Sequence, residues 1–214
     1  MKTIPLSELE ANPKRLEVLR KVLDEGGLVC LPCNANYRIV ADLMSEQAVI
    51  RLLQSKHRTQ TKPALIFIAD EKGLKDVVED VDPIALKLAK RFWPGSLTIL
   101  FPLHPDLPAQ VRKQFGRKKV KAGVRVPADP LVQRLVKTFG RPLLVSSANR
   151  ERKKGASSPA QVRKNFLGHI DLFIDAGDLP ASPASTVVDI DKGQVKITRS
   201  GALSEEDILA AQAD

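Results

Sequence analysis

The stretch Gln54-Ser55-Lys56-His57-Arg58-Thr59-Gln60-Thr61-Lys62-Pro63 ends an amphipathic helical segment and leads into the apolar strand predicted at 64–68. It places three cations, Lys56, Arg58 and Lys62, where a helix passes to a strand. In α/β proteins such junctions lie at the rim of the sheet, where Lys and Arg can bind a phosphate-bearing ligand. Cations also complement the dipole of a helix end, so a solvated helix terminus stays open as an alternative.

Length and composition favour one globular domain. The chain has 214 residues, of which 43% are hydrophobic, and no Gly/Ser-rich linker divides it. We expect a single domain over 1–214, with its core at about 14–201 and a C-terminal helix at about 204–212. The net charge of +9 should attract polyanions, and both nucleotide and RNA fit it. No apolar run approaches the ~20 residues of a membrane span, so we expect a cytoplasmic protein without membrane contact.

Short apolar strands alternate with helical patterns through most of the chain, which indicates an α/β sheet covered by helices. A turn is predicted at 32–38, and Ser45, Asp129, Ser158 and Ser204 look like helix N-caps. The predicted strands are 27–31, 64–68, 97–101, 123–127, 142–146, 172–175, 186–190 and 195–199. The predicted helices are 13–24, 46–56, 74–79, 82–92, 130–139, one from Pro159 and one after Ser204.

The two cysteines form the C-x-x-C pattern Cys30-Leu31-Pro32-Cys33. The pattern closes a predicted strand instead of opening a helix, and no second Cys or His pair accompanies it. Two reduced thiols, with one in the core, are favoured over a redox or metal site.

Three further features could bind anions, and each has a plain structural alternative. The basic segment 112–121 and the loop 150–155 could line a cleft or be solvated loops. Ser147-Ala148-Asn149 could be an ordinary turn at the end of a strand. Arg125, in an apolar strand, could instead belong to a buried ion pair.

Together these pieces, in this order along the chain, resemble the YrdC-like (TsaC-type) threonylcarbamoyl-AMP synthases. The resemblance extends from about Gly26 to about Gly201 and implies the short form of the family, without a C-terminal extension domain. The segments that carry it are Lys56-x-Arg58 with Lys62-Pro63, Phe92-Trp93-Pro94-Gly95-Ser96-Leu97-Thr98, Val124-Arg125-Val126-Pro127, Ser147-Ala148-Asn149, Ser185-Thr186-Val187-Val188-Asp189 and Arg199-Ser200-Gly201.

The resemblance implies a twisted mixed β-sheet flanked by helices around a basic central cleft. It also implies a nucleotidyltransferase that joins L-threonine, bicarbonate and ATP into threonylcarbamoyl-AMP and pyrophosphate. ATP would enter with Mg²⁺ as a substrate, with no tightly bound metal, and the product would pass to transferase proteins that modify tRNA. Lys56 and Arg58 would be catalytic. The ATP and phosphate ligands would be Lys56, Arg58, Lys62, Ser147, Asn149 and Arg199, and the threonine and bicarbonate ligands would be Tyr37, Arg125 and Ser185.

The chain departs from the family pattern in the turn after the first predicted strand. The pattern has threonine at the positions of Cys33 and Ala35 and glycine at the position of Arg38. An alternative is therefore a divergent paralogue that binds nucleotide or structured RNA such as tRNA or rRNA, with altered or no threonine activity. Its RNA-binding residues would be Arg117, Lys118, Lys119, Lys121, Arg152, Lys153 and Lys154.

Overall fold

A single mixed sheet forms the centre of the protein. The computed structural model describes residues 1–56, 64–115, 121–149 and 156–213, and within them ten strands make up this sheet. They are β1 (Lys2–Pro5), β2 (Val29–Cys33), β3 (Asn36–Asp42), β4 (Leu65–Phe67), β5 (Leu97–Pro102), β6 (Lys121–Arg125), β7 (Leu143–Ser147), β8 (Leu172–Asp175), β9 (Thr186–Asp191) and β10 (Gln194–Arg199). Their order is β1-β8-β2-β3-β7-β4-β6-β5-β9-β10, which confirms the predicted α/β class.

Helices cover both faces of the sheet, and each face has its own apolar core. The helices are α1 (Leu6–Ala11), α2 (Leu16–Asp24), α3 (Glu46–Ser55), α4 (Pro83–Phe92), α5 (Ala109–Phe115), α6 (Pro130–Phe139), α7 (Pro159–Phe166) and α8 (Glu205–Ala213). Side chains of α1, α2 and α6 pack on one face, and those of α3, α4, α5, α7 and α8 pack on the other. Short 3₁₀ turns at Pro13–Arg15 and Glu71–Asp76 complete the elements.

The predicted helix caps are confirmed. Ser45 Oγ accepts from the Ala48 amide, Asp129 Oδ1 accepts from two amides of α6, and Ser158 Oγ accepts from the amide of Gln161. Ser204 caps α8 by accepting from the Asp207 amide. Because each cap satisfies amides that the first helical turn leaves unpaired, these short polar residues fix where the helices begin.

In three places the local structure differs from the expectations drawn from the sequence. The predicted turn at 32–38 is a tight hairpin, in which Cys33 pairs with Asn36 and Asn34 takes a φ of 55°. The basic segment from 112 begins inside α5, because Val111 packs into the core and holds this turn of helix. Residues 2–5, for which no strand was predicted, pair with β8 at the edge of the sheet. A strand of 4 residues shows too little alternation of polar and apolar side chains to be predicted from the sequence.

The C-x-x-C residues lie in strand β2, with their side chains in different cores. Cys30 belongs to the core under α3 and Cys33 to the core under α6, since residues three apart in a strand point to opposite faces. Both thiols are free and buried. Burial raises the pKa of both, so they stay protonated at neutral pH.

We therefore expect Ellman's reagent to label neither thiol in the native protein and both after unfolding in denaturant. Thiolate is the reacting form, and both its population and its access are suppressed in the folded state. The absorbance of released thionitrobenzoate measures this directly. Rapid labelling of the native chain at pH 7.5 would contradict the burial of Cys30 and Cys33.

Within the described ranges, no helix is long and apolar enough to cross a membrane. The same part of the chain contains no group of three or more His, Cys, Asp or Glu side chains arranged to hold a metal ion.

Candidate anion-binding site

The first part of the site joins the end of α3 to the end of β7. Lys56 is the C-cap of α3, and only 7% of it is exposed. Its Nζ donates to the Ser147 carbonyl oxygen at 2.5 Å and to Asn149 Oδ1 at 3.0 Å. Lys56 is about ninety positions from Ser147 and Asn149 in the sequence, and the fold brings it into contact with both. We call Lys56, Ser147 and Asn149 the lysine group.

The fold explains how Lys56 reaches this position. Ala48, Val49 and Leu52 anchor α3 in the core against β3, so its last turn is held over the sheet. Strand β7 pairs with β3 on one side and β4 on the other, and Ser147 is its final residue. The lysine therefore lies between a fixed helix end and a fixed strand end, which is a preorganised arrangement for binding a charged ligand.

Arg38 adjoins the lysine group, and the sequence reading did not include it among the site residues. It lies in β3 directly opposite Ser147, and its Nη1 donates to Ser147 Oγ at 2.6 Å. An arginine in a mostly apolar strand was the available signal. Without the register between β3 and β7, however, nothing in the sequence connected Arg38 to Ser147.

The second part of the site is built around Arg125, the last residue of β6. Only 4% of Arg125 is exposed. Its Nε donates to the Gly95 carbonyl oxygen at 2.6 Å, and the Gly95 amide donates to the Val126 carbonyl. The Trp93-Pro94-Gly95 turn is thereby fixed against the end of β6, with Trp93 Nε1 donating to the Leu97 carbonyl.

Arg199, Ser185 and Thr98 complete this second part. Arg199, at the end of β10, donates from Nη2 to both the carbonyl oxygen and the hydroxyl of Ser185 at 2.8 and 2.9 Å. The Ser185 and Thr98 hydroxyls are 3.0 Å apart. The register places them together, because Leu97 pairs with Thr186 and Arg199 pairs with Val187. We call Arg125, Arg199, Ser185 and Thr98 the arginine group.

Electrostatics connect the two groups. Burial lowers the pKa of Arg125 most strongly, and the positive charges of Arg38 and Arg199 lower it further. Burial also lowers the pKa of Arg199, and Arg38 again adds to the effect. By strand alternation Arg38, Ser147 and Arg125 project from the face of the sheet that carries α2 and α6. The repulsion among the three guanidinium groups contributes to these lowered pKa values.

These arginines form no ion pair in the part of the chain that the structure describes, although the Asp129 carboxylate acts on Arg125 electrostatically. Every ion pair there involves other residues, and none includes Arg38, Arg125 or Arg199. Their hydrogen bonds go to neutral oxygens of Ser147, Gly95 and Ser185. A buried cation without an ion-pair partner is costly, so the burial of Arg125 beside two further arginines favours an anionic ligand over a structural role alone.

Tyr37 is more enclosed than the resemblance implied. Its side chain is fully buried, and its hydroxyl donates to the Gly177 carbonyl at 2.7 Å and accepts from the Ala176 amide at 3.0 Å. Burial raises the pKa of Tyr37 to about 12. The hydroxyl thus ties β3 to the segment after β8.

Of the predicted RNA-binding residues, Lys121 lies inside the described ranges. It is at the start of β6, and its Nζ is 2.5 Å from Asp189 Oδ1 and 3.1 Å from the Ile190 carbonyl oxygen. Its charge is therefore already neutralised by a carboxylate. Outside the described residues lie Arg58, Lys62, Arg117, Lys118, Lys119, Arg152, Lys153 and Lys154.

Gly201 packs tightly against the backbone on either side of Ser185, which belongs to the arginine group. A β-carbon there would come within 2.3 Å of the Ala184 carbonyl oxygen and 2.6 Å of the Thr186 amide nitrogen. Both are backbone atoms flanking Ser185, so they could move only by displacing that residue. No side chain larger than hydrogen fits at this crossing.

We expect Gly201→Ala to destabilise the fold by about 1–3 kcal/mol, as overpacking usually does. Because the strain falls on 184–186, the substitution should also weaken whatever ligand Ser185 and Arg199 bind. Denaturant unfolding measures the first effect and ligand titration the second. An alanine variant with unchanged stability and unchanged ligand affinity would show that this crossing is not tight.

A mixed sheet with helices on both faces, and with buried cations at the ends of α3 (Lys56) and β6 (Arg125), defines an α/β protein with a cationic candidate site. The chain belongs to the Sua5/YciO/YrdC family, since the family model Sua5_yciO_yrdC, described as telomere recombination, matches residues 21–201. This match confirms the resemblance inferred from the motifs.

Named relatives agree with the family assignment. A threonylcarbamoyl-AMP synthase of Pyrococcus abyssi is 30% identical over 194 residues, covering 91% of this chain and 56% of the relative. One of Bacillus subtilis is 29% identical over 203 residues, covering 95% of this chain and 58% of the relative. The chain thus spans little more than half the length of these two relatives.

A solved structure shows the same fold. The crystal structure of Pyrococcus abyssi Sua5 complexed with L-threonine superposes with a TM-score of 0.82 at 31% sequence identity, covering 92% of this chain and 57% of that chain. The sheet, its helices and the flanking turns are therefore those of an established family member.

Proposed function

We propose that this chain is an L-threonylcarbamoyl-AMP synthase. It would combine ATP, bicarbonate and L-threonine and release threonylcarbamoyl-AMP and pyrophosphate. The names of the two relatives and the threonine bound to the Pyrococcus structure support this reaction over the RNA-binding alternative. The neutralised charge of Lys121 also gives that alternative less support.

The observation that carries the proposal is a set of three arginines, buried Arg125, half-buried Arg38 and exposed Arg199, whose hydrogen bonds within the described residues go only to neutral oxygens. A nucleotide triphosphate and a carboxylate nucleophile bring several negative charges to one place, and cations already fixed there would balance them. A structural ion-pair network would instead supply its own carboxylates.

In this proposal the lysine group binds the phosphates of ATP. Lys56 acts as a compact point charge, and the Ser147 hydroxyl and Asn149 amide offer hydrogen bonds beside it. Arg58 and Lys62, which follow Lys56 in the sequence, would add charge to the same phosphates. Mg²⁺ would arrive with ATP as part of the substrate.

In the arginine group, Arg125 and Ser185 would bind the amino acid, while Arg199 would contact the nucleotide. A guanidinium can hold a carboxylate through two parallel hydrogen bonds, and Arg125 is positioned rigidly enough to do so. Ser185 and Thr98 place two hydroxyls close by, which suits a small polar side chain. Tyr37 would act as a positioning residue for the 175–178 segment, because its hydroxyl is already used there.

The chemistry needs positioning and charge neutralisation more than proton transfer. Once threonine and bicarbonate have formed the carbamate, one of its oxygens attacks the α-phosphorus and pyrophosphate leaves. No general base is required for that step, which fits a site whose described side chains are cations, hydroxyls and amides. We further propose that the product is transferred in the cytoplasm to tRNA by separate transferase proteins.

Direct detection of the product tests this function. Purified chain is incubated with MgATP, bicarbonate and L-threonine, and the nucleotides are separated and identified by mass spectrometry. We expect threonylcarbamoyl-AMP and pyrophosphate in equal amounts, with neither formed when threonine is omitted. ATP binding with no product, together with salt-sensitive tRNA binding, would reject the proposal in favour of the paralogue that binds RNA.

A further inference from the structure

Arg38 contacts the lysine group directly and acts on the arginine group through its charge. It lies in β3 opposite Ser147, and its guanidinium donates to the Ser147 hydroxyl. Lys56 binds the carbonyl oxygen of the same residue, so the lysine and the arginine contact Ser147 through its backbone and its side chain respectively. The charge of Arg38 also acts on Arg125 and Arg199 in the arginine group.

The hydrogen-bonding capacity of Arg38 is largely unused. A guanidinium has five N–H donors, and within the described residues Ser147 Oγ is the acceptor that Arg38 reaches. Its Nε is buried and has no hydrogen-bond partner there. No carboxylate of the described chain forms an ion pair with it, and its charge acts on Arg125 and Arg199 instead. A buried donor without an acceptor is costly, so an oxygen-rich anion would be stabilised at this point.

The position of this anion within the substrates follows from the two groups. If the lysine group holds phosphates and the arginine group holds the amino acid, the atom at which the two substrates meet is the α-phosphorus. Among the described residues, Arg38 touches one group and acts electrostatically on the other. Resting on the proposed function, we propose that Arg38 donates hydrogen bonds to the α-phosphate of ATP and accelerates the bond-forming step.

The step balances without any additional reactant. An electron pair of the carbamate oxygen forms the new bond to the α-phosphorus, while the bond from that phosphorus to the bridging oxygen of the β-phosphate breaks. Pyrophosphate leaves with the electron pair of that bond, and no proton is transferred. Arg38 stabilises the charge on the non-bridging oxygens of the α-phosphate, as cations do in other phosphoryl and nucleotidyl transfers.

The proposal also gives a meaning to the departure at position 38, where the family pattern has glycine. If Arg38 were only bulk that narrows the cleft, shortening it should help the reaction. If it contacts the α-phosphate, shortening it should harm the reaction. The two interpretations thus differ in the sign of a single substitution.

The experiment compares Arg38→Gly, Arg38→Lys and the wild type under saturating MgATP and bicarbonate, with kcat and KM measured separately. We expect kcat to fall about 100-fold for Arg38→Gly, the range found when one preorganised donor is removed. The KM for ATP should change by less than about threefold, because Lys56 and its neighbours still hold the phosphates. Arg38→Lys should recover part of kcat, since it retains the charge but loses the fork of donors.

Chemical rescue separates direct contact from a structural role. Millimolar methylguanidine should restore part of the activity of Arg38→Gly, because it can enter the space that the side chain vacated, and should leave Lys56→Ala inactive. Arg134→Gln is the matched control, since Arg134 is exposed on α6 outside both groups. Arg38→Gln gives the same readout if the glycine variant fails to fold.

The outcomes are distinguishable. Activity of Arg38→Gly within twofold of wild type, or above it, would overturn the role of Arg38 while leaving the proposed function intact. Loss of activity without any rescue by methylguanidine or by Arg38→Lys would also overturn direct contact. A wild-type chain that forms no threonylcarbamoyl-AMP would reject the proposed function and this inference together.

Discussion

Lys56→Ala is expected to reduce threonylcarbamoyl-AMP formation by at least about 100-fold, the loss typical of removing one preorganised charge from a site of this kind. The ammonium group contacts both the Ser147 carbonyl and Asn149, so its removal also releases the two residues proposed to flank the phosphates. Product formation measured by mass spectrometry, and ATP affinity measured by calorimetry, should fall together.

A matched lysine on the surface supplies the control for this expectation. Lys90, in the last turn of α4, is exposed, and Lys90→Ala should retain wild-type activity. Lys56→Met keeps most of the apolar stem, which separates loss of charge from loss of packing. If Lys56→Met retained ATP affinity and activity within twofold of wild type, the lysine group would not be a phosphate site.

Arg125→Met is expected to weaken threonine binding roughly 10- to 150-fold, the equivalent of losing hydrogen bonds to a charged group. Its effect on stability should be small, within about 1 kcal/mol, because only the hydrogen bond to the Gly95 carbonyl is lost. No described carboxylate is left without a partner by the substitution. Titration of threonine in the presence of ATP and unfolding in denaturant measure the two effects.

Replacing Arg141 with methionine should instead lower the stability of the fold and leave threonine affinity unchanged. Arg141 Nη2 lies 2.8 Å from Asp24 and 3.1 Å from Asp42, whose side chain is 7% exposed. Arg141→Met should therefore destabilise the fold by about 2 kcal/mol, because it strands a buried carboxylate, while threonine affinity stays unchanged. If Arg125→Met destabilised the protein as much as Arg141→Met and left threonine binding intact, Arg125 would be a structural residue.

Much of the fold could be predicted from the sequence because its elements carry strong local patterns. The helix starting at Glu46 has a serine cap and an apolar stripe, and β7 opens with the apolar run 143–145 before Ser146 and Ser147. Residues of this kind specify their own secondary structure regardless of their distant neighbours. The short strand β1 and the hairpin after Cys33 carry weaker patterns, and pairing with β8 and β7 decides them.

The site was predictable only in part, for a related reason. Lys56, Ser147, Arg125 and Arg199 could be selected because ordered motifs along the chain mark them. Arg38 and Thr98 could not, because their importance comes from the strand register that sets them beside Ser147 and Ser185. Register depends on contacts between distant segments, and a single sequence does not specify it directly.

Tyr37 shows that a residue within a motif can have a structural role instead of contacting the ligand. The motif places it near the amino acid, yet its hydroxyl is committed to the backbone of Ala176 and Gly177. Whether a side chain faces a ligand or supports the wall behind it depends on packing, and both roles leave the same residue in the sequence.

The central claim is that one polyanionic substrate complex lies between the lysine group and the arginine group. A crystal structure of the chain with MgATP, bicarbonate and L-threonine tests it most directly. We expect a phosphate within hydrogen-bond distance of Lys56 Nζ, the α-phosphate at Arg38 and the threonine carboxylate at Arg125. Nucleotide bound elsewhere, with Arg38, Arg125 and Arg199 making no contact to any ligand, would contradict the claim.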